Sequence, residues 1–285
     1  TMSISRQNLT IVIVTLKSEK IIDQCLKTID KDIPIIVVEN SNNKNFKTEL
    51  ESKYSNLKCV LSNANLGMGA GNNIGLKLAK TDYVLILNPD VLLQRDTLSE
   101  IFKASEKIND FSVIAPINSD PNFPNYKILD NKIFNDKTIP FKVEFVDGFA
   151  MLLNKKKFEN NIFFDENIFL YLENNDLCLR IKRNNGSIYI VPSAIIHHAG
   201  AQTVDSKYHL EIELSRNWHW IWSKFYYNKK NFGILQAIIK CYLNFFSSIM
   251  KFLFYFFTKN YYKKKIYYCR ASGFYNALLG KNSWY

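Results

Sequence analysis

The chain has 285 residues, enough for one large domain or two small ones. It is 47% hydrophobic and 22% charged with only 10 Gly and 7 Pro, which excludes disordered, collagen-like and linker-like chains. Its formal net charge is +11, but eleven of the 37 Lys and Arg lie from Trp218 onward, where there is no Asp or Glu, while the first 217 residues hold 26 of each sign. A neutral body with a cationic, acid-free tail points to a polyanionic surface, either anionic lipid or nucleic acid.

In chain order, Ile11 to Thr15 is a β-branched run that predicts a strand buried on both faces. Glu19 to Ile29 has helical spacing at Ile21, Ile22, Leu26 and Ile29. Ile33 to Val38 predicts a second buried strand, Cys59 to Leu61 a short third, Asn72 to Ala79 a helix and Tyr83 to Leu87 a fourth strand. Alternating strands and helices predict a doubly wound α/β domain with a mostly parallel sheet. The stretch from about 115 to 145 is rich in Asn, Asp and Pro and predicts an irregular excursion. Val143 to Leu153 and Ser187 to Val191 predict further strands, and Trp218 onward predicts helices. Cys25, Cys59, Cys178, Cys241 and Cys269 are dispersed, without metal-site spacing or a disulfide framework, so a reducing cytosolic setting is expected. No basic stretch followed by an apolar one marks a secretory signal.

Ligands of such sheets bind at the carboxyl ends of the strands. The residues there are Thr15 to Lys17, Glu39 to Ser41, Asn63 to Asn73 and Asn88 to Asp90, a polar, acidic rim. A carboxylate at Asp90 suits a hard divalent cation, and Asn88-Pro89-Asp90 is equally an ordinary turn. Asn65 to Gly75 is a Gly/Asn-rich loop opening a helix, suited to phosphates or polar rings. It matches neither the dinucleotide-binding glycine spacing nor a P-loop. Glu173 and Asp176, three apart at a helix start, suit a general base and its positioning partner, or carboxylates favouring the helix dipole. His197-His198 follows a strand-like stretch, where a histidine completes a metal site or serves structure.

Taken in order, these stretches resemble the inverting family 2 glycosyltransferases of GT-A fold, with the rhamnosyltransferase-like branch nearest. The matching segments are Ile11 to Thr15, Ile35 to Ser41, Asn65 to Gly75, Val84 to Asp90, Asp147-Gly148, Phe169 to Arg180 and His197 to Gly200, within about residues 9 to 228. The resemblance implies a GT-A Rossmann-like sheet with flanking helices over 1–228. A basic, aromatic-rich amphipathic tail would follow over 229–285. It implies that Thr15, Glu39, Asn65, Gly67, Asn72 and Asn73 surround the nucleotide. Asp90 and His197 would hold the cation, Mg2+ or Mn2+, with Asn88 replacing the usual first Asp. Asp147 and Gly148 would hold the sugar or acceptor. The implied reaction moves a sugar, possibly rhamnose, from a dTDP- or UDP-sugar to a glycan or lipid-linked acceptor in cell-surface polysaccharide synthesis. Lys17 departs from the family's Asn, and Asn174 stands where relatives place the base Asp. Either Glu173 is the base, or the chain is a catalytically silent nucleotide-sugar-binding partner of another transferase.

In the tail, Phe232 to Phe257 is apolar, yet Lys240 and Lys251 leave only ten uncharged residues between them, short of a spanning run of roughly 18. Gln236, Lys240, Asn244, Ser247, Lys251, Tyr255 and Thr258 draw a narrow polar stripe, and Tyr261 to Tyr268 mixes aromatics with lysines. This predicts a helix lying on an anionic membrane, peripheral on the inner face, over a helix packed on the domain. Nucleic acid is not expected as a partner, because the strand-end rim is not basic and no such motif is present.

Overall fold

The computed structural model describes residues 3–128, 139–198 and 209–283. Gly200, one of the matching positions, lies outside them. The described residues fall into two compact units. The first runs to Phe164 and resumes at Asn174; the second comprises Asp165–Glu173 and the C-terminal helices.

The first unit alternates strands and helices as the periodicity predicts. It contains β1 (Leu9–Thr15), α1 (Ile22–Leu26), β2 (Ile35–Glu39), α2 (Lys44–Lys53), β3 (Leu57–Leu61), α3 (Gly67–Leu78), β4 (Tyr83–Leu87), β5 (Val91–Leu93) and α4 (Thr97–Lys107). Then follow β6 (Val113–Asn118), β7 (Tyr126–Lys127), β8 (Phe141–Lys142), β9 (Phe145–Val146), β10 (Ala150–Asn154), α5 (Glu173–Arg183) and β11 (Ile188–His198). The main sheet has the order β3-β2-β1-β4-β10-β6-β11-β5, with β8 on β11. β1 to β4 are parallel neighbours, and β10 runs antiparallel between β4 and β6.

Strand alternation sends side chains to two cores. Ile11, Ile13, Ile35, Val37, Leu85 and Leu87 face one side, with Leu26, Leu50 and Ile101 from α1, α2 and α4. Val12, Val14, Ile36, Val38, Val84 and Ile86 face the other, with Leu76 of α3 and Leu177 and Ile181 of α5.

Three expectations change. The run Val143 to Leu153 is not one strand, because Asp147-Gly148 turns the chain between β9 and β10. Ser187 to Val191 and Ala194 to Ile196 merge into β11, with a register shift between Val191 and Ile195. Pro192 lies in that shift and has no N–H for the ladder. The glycine-rich segment is helix from Gly67, not a loop opening a helix at Asn72. Its glycines serve close packing. A Cβ at Gly75 would lie 2.3 Å from Val12 Cγ1, and one at Gly71 2.9 Å from Val14 Cγ1.

The second unit is built on α6 (His209–Phe232), α7 (Ile234–Phe257) and α8 (Tyr261–Leu278). Trp218, Ile221, Trp222 and Phe225 of α6 pack with Ala237 and Cys241 of α7 and Cys269, Phe274 and Ala277 of α8. A Cβ at Gly273 would lie 2.4 Å from the Trp218 carbonyl oxygen, so α8 crosses α6 closely there. Residue 228, the boundary expected from sequence, lies inside α6.

The lysines that interrupt the apolar run do not interrupt the helix. α7 is a continuous 24-residue helix, long and apolar enough by length and composition to cross a membrane, and only 17% of its most apolar window is buried. The uncharged-run argument therefore does not set its reach. Leu235, Ile239, Leu243, Phe246, Met250, Phe254 and Phe257 lie exposed along it.

Candidate functional site

The strand ends set the site. Parallel pairing puts Thr15 beside Glu39, and Asn40 N–H donates to the Thr15 carbonyl at 2.8 Å. Asn40 Nδ2 donates to the Gly67 carbonyl at 3.0 Å, tying the end of β2 to the start of α3. Thr15 Oγ1, Asn40 Oδ1 and Asn72 Oδ1 are enclosed with no hydrogen-bond partner among the described residues. Unpaired buried oxygens cost free energy unless a ligand satisfies them, about 1–3 kcal/mol each.

Other expected nucleotide residues have their side chains engaged. Glu39 is fully buried, and its carboxylate accepts from Ser41 N–H at 2.9 Å and Asn43 N–H at 2.6 Å. Asn73 clamps Phe164, donating to its carbonyl and accepting from its N–H, both at 2.9 Å. Asn65 Oδ1 accepts from Gly67 N–H at 3.2 Å, and Gly67 takes φ +81°, a conformation open to glycine. Lys17 holds φ +51°, which asparagine adopts more readily than lysine.

Asn88-Pro89-Asp90 turns the chain from β4 to β5, with Val91 N–H on the Asn88 carbonyl at 3.2 Å. β5 pairs with the end of β11, which sets His198 opposite Val91. His198 Nε2 then lies 3.3 Å from Asp90 Oδ2, with its ring stacked on Phe149 at 4.1 Å. The structure thus brings His198, and not the expected His197, to Asp90. The period of two sends neighbouring side chains to opposite faces, so His197 is exposed and meets Ser119 Oγ at 3.1 Å.

Asp90 Oδ1 and Asn88 Oδ1 are buried and unpartnered among the described residues. Hard oxygen donors beside an imidazole fit a divalent cation. No three His, Cys, Asp or Glu side chains converge among the described residues, so such a cation would take its remaining ligands from phosphate or water.

Asp147 begins the turn before β10, and its N–H donates to the Asn125 carbonyl at 2.8 Å. Burial raises its pKa above the usual carboxylate range, and the charge of His198 opposes that rise. Asn174 Nδ2 donates to the Val146 carbonyl at 3.0 Å, and its Cβ would lie 3.4 Å from a Cβ at Gly148. An aspartate could not make that donation, so the amide holds the turn carrying Asp147 and Gly148. Asp176 is buried on α5 one turn after Glu173.

Glu173 starts α5, and its Oε2 is enclosed without a hydrogen-bond partner among the described residues. The residue keeps some exposure, but burial of the carboxyl pushes its pKa up to about 7. The two residues before it, Tyr171 and Leu172, take φ of +69° and +68°. Such conformations cost about 1–3 kcal/mol each in non-glycine residues and cluster at functional sites.

Sequence reading singled out neither Asn40 nor His198 as a site residue. Asn40 stood on the strand-end rim without a motif of its own, and only pairing with β5 distinguishes His198 from His197.

The fold is that of GT-A transferases. The mannosyltransferase PcManGT from Pyrobaculum calidifontis, solved with GDP-Man and Mn2+, superposes with a TM-score of 0.56 at 12% identity, covering 97% of this chain and 87% of that one. Residues 10–162 match the family described as Glycosyl transferase family 2, and the chain belongs to that family. It is 25% identical over 199 residues to the low-salt glycan biosynthesis hexosyltransferase Agl10 of Haloferax volcanii, covering 64% of each chain. It is 28% identical over 224 residues to the rhamnosyltransferase WbbL of Escherichia coli K12, covering 66% of this chain and 83% of that one.

Proposed function

We propose that the chain transfers a sugar, rhamnose foremost, from a dTDP- or UDP-sugar to a glycan or lipid-linked acceptor in cell-surface polysaccharide synthesis, with inversion. The observation that carries this reading is the set of enclosed oxygens, unpartnered among the described residues, at the carboxyl ends of β1, β2 and β4 and on α3: Thr15 Oγ1, Asn40 Oδ1, Asn72 Oδ1, Asn88 Oδ1 and Asp90 Oδ1. The first three suit the N–H and O–H groups of a base and ribose. Asn88, Asp90 and His198 would hold a divalent cation, which when bound neutralises the charge of a leaving diphosphate. Asp147 and Gly148, held by Asn174, would line the sugar. Glu173 is assigned as base. With its pKa near neutrality it accepts the acceptor hydroxyl's proton as that oxygen attacks the anomeric carbon in line. Asp176, one turn further along α5, would steady that start of the helix.

The test is a panel of nucleotide-sugars screened for thermal stabilisation with and without manganese. A dTDP- or UDP-sugar should raise Tm, and more so with manganese. No shift across the panel would overturn the donor assignment.

The amide at Asn174, committed to the Val146 carbonyl, favours a second reading as a catalytically silent nucleotide-sugar binder. Donor hydrolysis in the presence of metal separates the two.

We further assign the exposed apolar side of α7, with the lysines of α8, to the anionic inner face of a membrane, with no role in nucleic-acid binding. Apolar area of this extent is unusual on a free surface. Lys251 and Arg270 lie over Tyr267, Lys263 over Tyr255, and Lys264 and Lys265 over Tyr261, at 4.5 to 5.5 Å from the ring centroids, pairs suited to a headgroup layer.

A further inference from the structure

Phe149 touches two of the residues assigned to the cation, and they lie at the ends of different strands. It follows the Asp147-Gly148 turn and precedes β10, whose Ala150 lies opposite Leu87 of β4. The antiparallel pairing continues one step further, where the Phe149 carbonyl accepts from Asn88 N–H at 2.9 Å. That bond fixes the backbone of Asn88, whose Oδ1 is enclosed and unpartnered among the described residues. The side chain of Phe149 reaches β11 instead. Its ring lies 4.1 Å from the His198 imidazole, centroid to centroid, with the two planes 20° apart.

Strand pairing alone does not orient that imidazole. The β11–β5 register sets the backbone of His198 opposite Val91, but His198 is the last residue of β11 and its side chain is partly exposed. A histidine ring turns about two side-chain bonds, and the Asp90 carboxylate, 3.3 Å from Nε2, locates one nitrogen without setting the ring plane. A flat ring stacked on the imidazole removes that remaining freedom, and stacked aromatic pairs attract beyond the area they bury. Phe149 is itself held, since it packs against the core that contains Leu87 and Val91. A ligand oriented before the cation arrives has less freedom to lose on binding, and the groups that orient it therefore bear on affinity.

We infer that Phe149 is a positioning residue of the cation site, holding the His198 ring toward Asp90 with its own ring and Asn88 with its carbonyl. The inference rests on the cation reading given under the proposed function. An aromatic residue that only packed the core would change UDP affinity alike with and without metal. One that orients His198 acts through the metal, and only while His198 is present.

UDP is titrated calorimetrically into the full-length chain with and without Mn2+, for the wild type, Phe149→Leu, Phe149→Tyr, His198→Ala and the double variant Phe149→Leu with His198→Ala. Leucine keeps an apolar side chain without a flat face, and the backbone bond to Asn88 is retained. Phe149→Leu should weaken UDP binding in manganese about tenfold, with metal-free affinity within about twofold of the wild type. Phe149→Tyr keeps the flat face and should recover most of that loss. In the His198→Ala background, Phe149→Leu should cost less than about twofold further, because two changes to one interaction are not additive. Equal losses with and without manganese, no loss, a tyrosine as weak as the leucine, or the same loss in both backgrounds would each overturn the role of Phe149. A wild type that binds no UDP, or binds it regardless of manganese, refutes the donor or the cation reading instead, and the inference falls with it. Should Phe149→Leu not melt cooperatively, Phe149→Met, which also lacks a flat face, takes its place.

Discussion

At the scale of single residues, Glu173 and His198 carry the sharpest expectations. A base acts in the transition state, so Glu173→Gln should lower kcat by about 10²- to 10⁴-fold with donor affinity little changed. The carboxyl titrates at about 7 in the folded chain against an ordinary 4.5, so wild-type kcat/KM should rise with pH through about 7 and then level. The same shift affects stability. Between pH 4.5 and 7 the folded state holds the proton that the unfolded state has lost, so stability falls as pH rises through that window. Glu173→Gln should flatten that part of the Tm-against-pH curve, and an unchanged curve would refute the burial argument. For the cation, His198→Ala should weaken manganese-dependent UDP binding, and His197→Ala should leave it near the wild-type value. The reverse order would restore His197. Asp90→Ala should abolish the manganese dependence with the melting transition still cooperative.

At the scale of elements, the approach of α3 to β1 is testable. Gly75→Ala gains helix propensity of about 1 kcal/mol, but its Cβ would meet the buried, stiff Val12 side chain at 2.3 Å. Overpacking costs about 1–3 kcal/mol, so a net loss and a Tm lower by a few degrees are expected. Val12→Ala in the same chain makes room, and the pair should lose less than the two single changes together. Additive losses would show that the contact is not what sets the glycine. The glycines of this segment were legible as marks of close approach, but what they approach was not. Continuous apolar runs located β1, β2 and β4 to within two residues, because both faces of these strands are buried. The Gly67–Gly71 stretch read as loop because helix propensity is low there. Packing against Val12 and Val14 outweighs that propensity, as tertiary contacts commonly do.

At the scale of the whole molecule, the charge asymmetry and α7 act together. Each Lys or Arg near an anionic leaflet contributes about 1 kcal/mol, a contribution that salt screens. Burying the exposed Leu243, Phe246 and Phe254 adds a salt-insensitive part at about 25 cal/mol per Å². Flotation with anionic liposomes should therefore weaken in high salt but persist. Leu243→Glu with Phe246→Glu and Phe254→Glu should abolish the persistent part. Equal flotation of both forms would remove α7 from the membrane assignment. Cutting the chain after Asn228 is a poor alternative, since it removes the helices that cover Trp218, Trp222 and Phe225.

The first four strands that alternate with helices, the acidic strand-end rim and the cationic tail follow from the sequence alone, because apolar patterning and charge are local properties that survive any packing, whereas the strands between residues 113 and 142 and the order of the sheet do not. What tertiary structure decided is which of two adjacent histidines meets Asp90, that Glu39 spends its carboxylate on its own backbone, and that Asn174 holds the Asp147 turn. It also decided that apolar residues of α7 stay exposed among the described residues and that Arg216, Arg270 and Trp220 line one cavity. Each of these depends on strand pairing or helix crossing between residues distant in the chain, which a linear pattern does not encode.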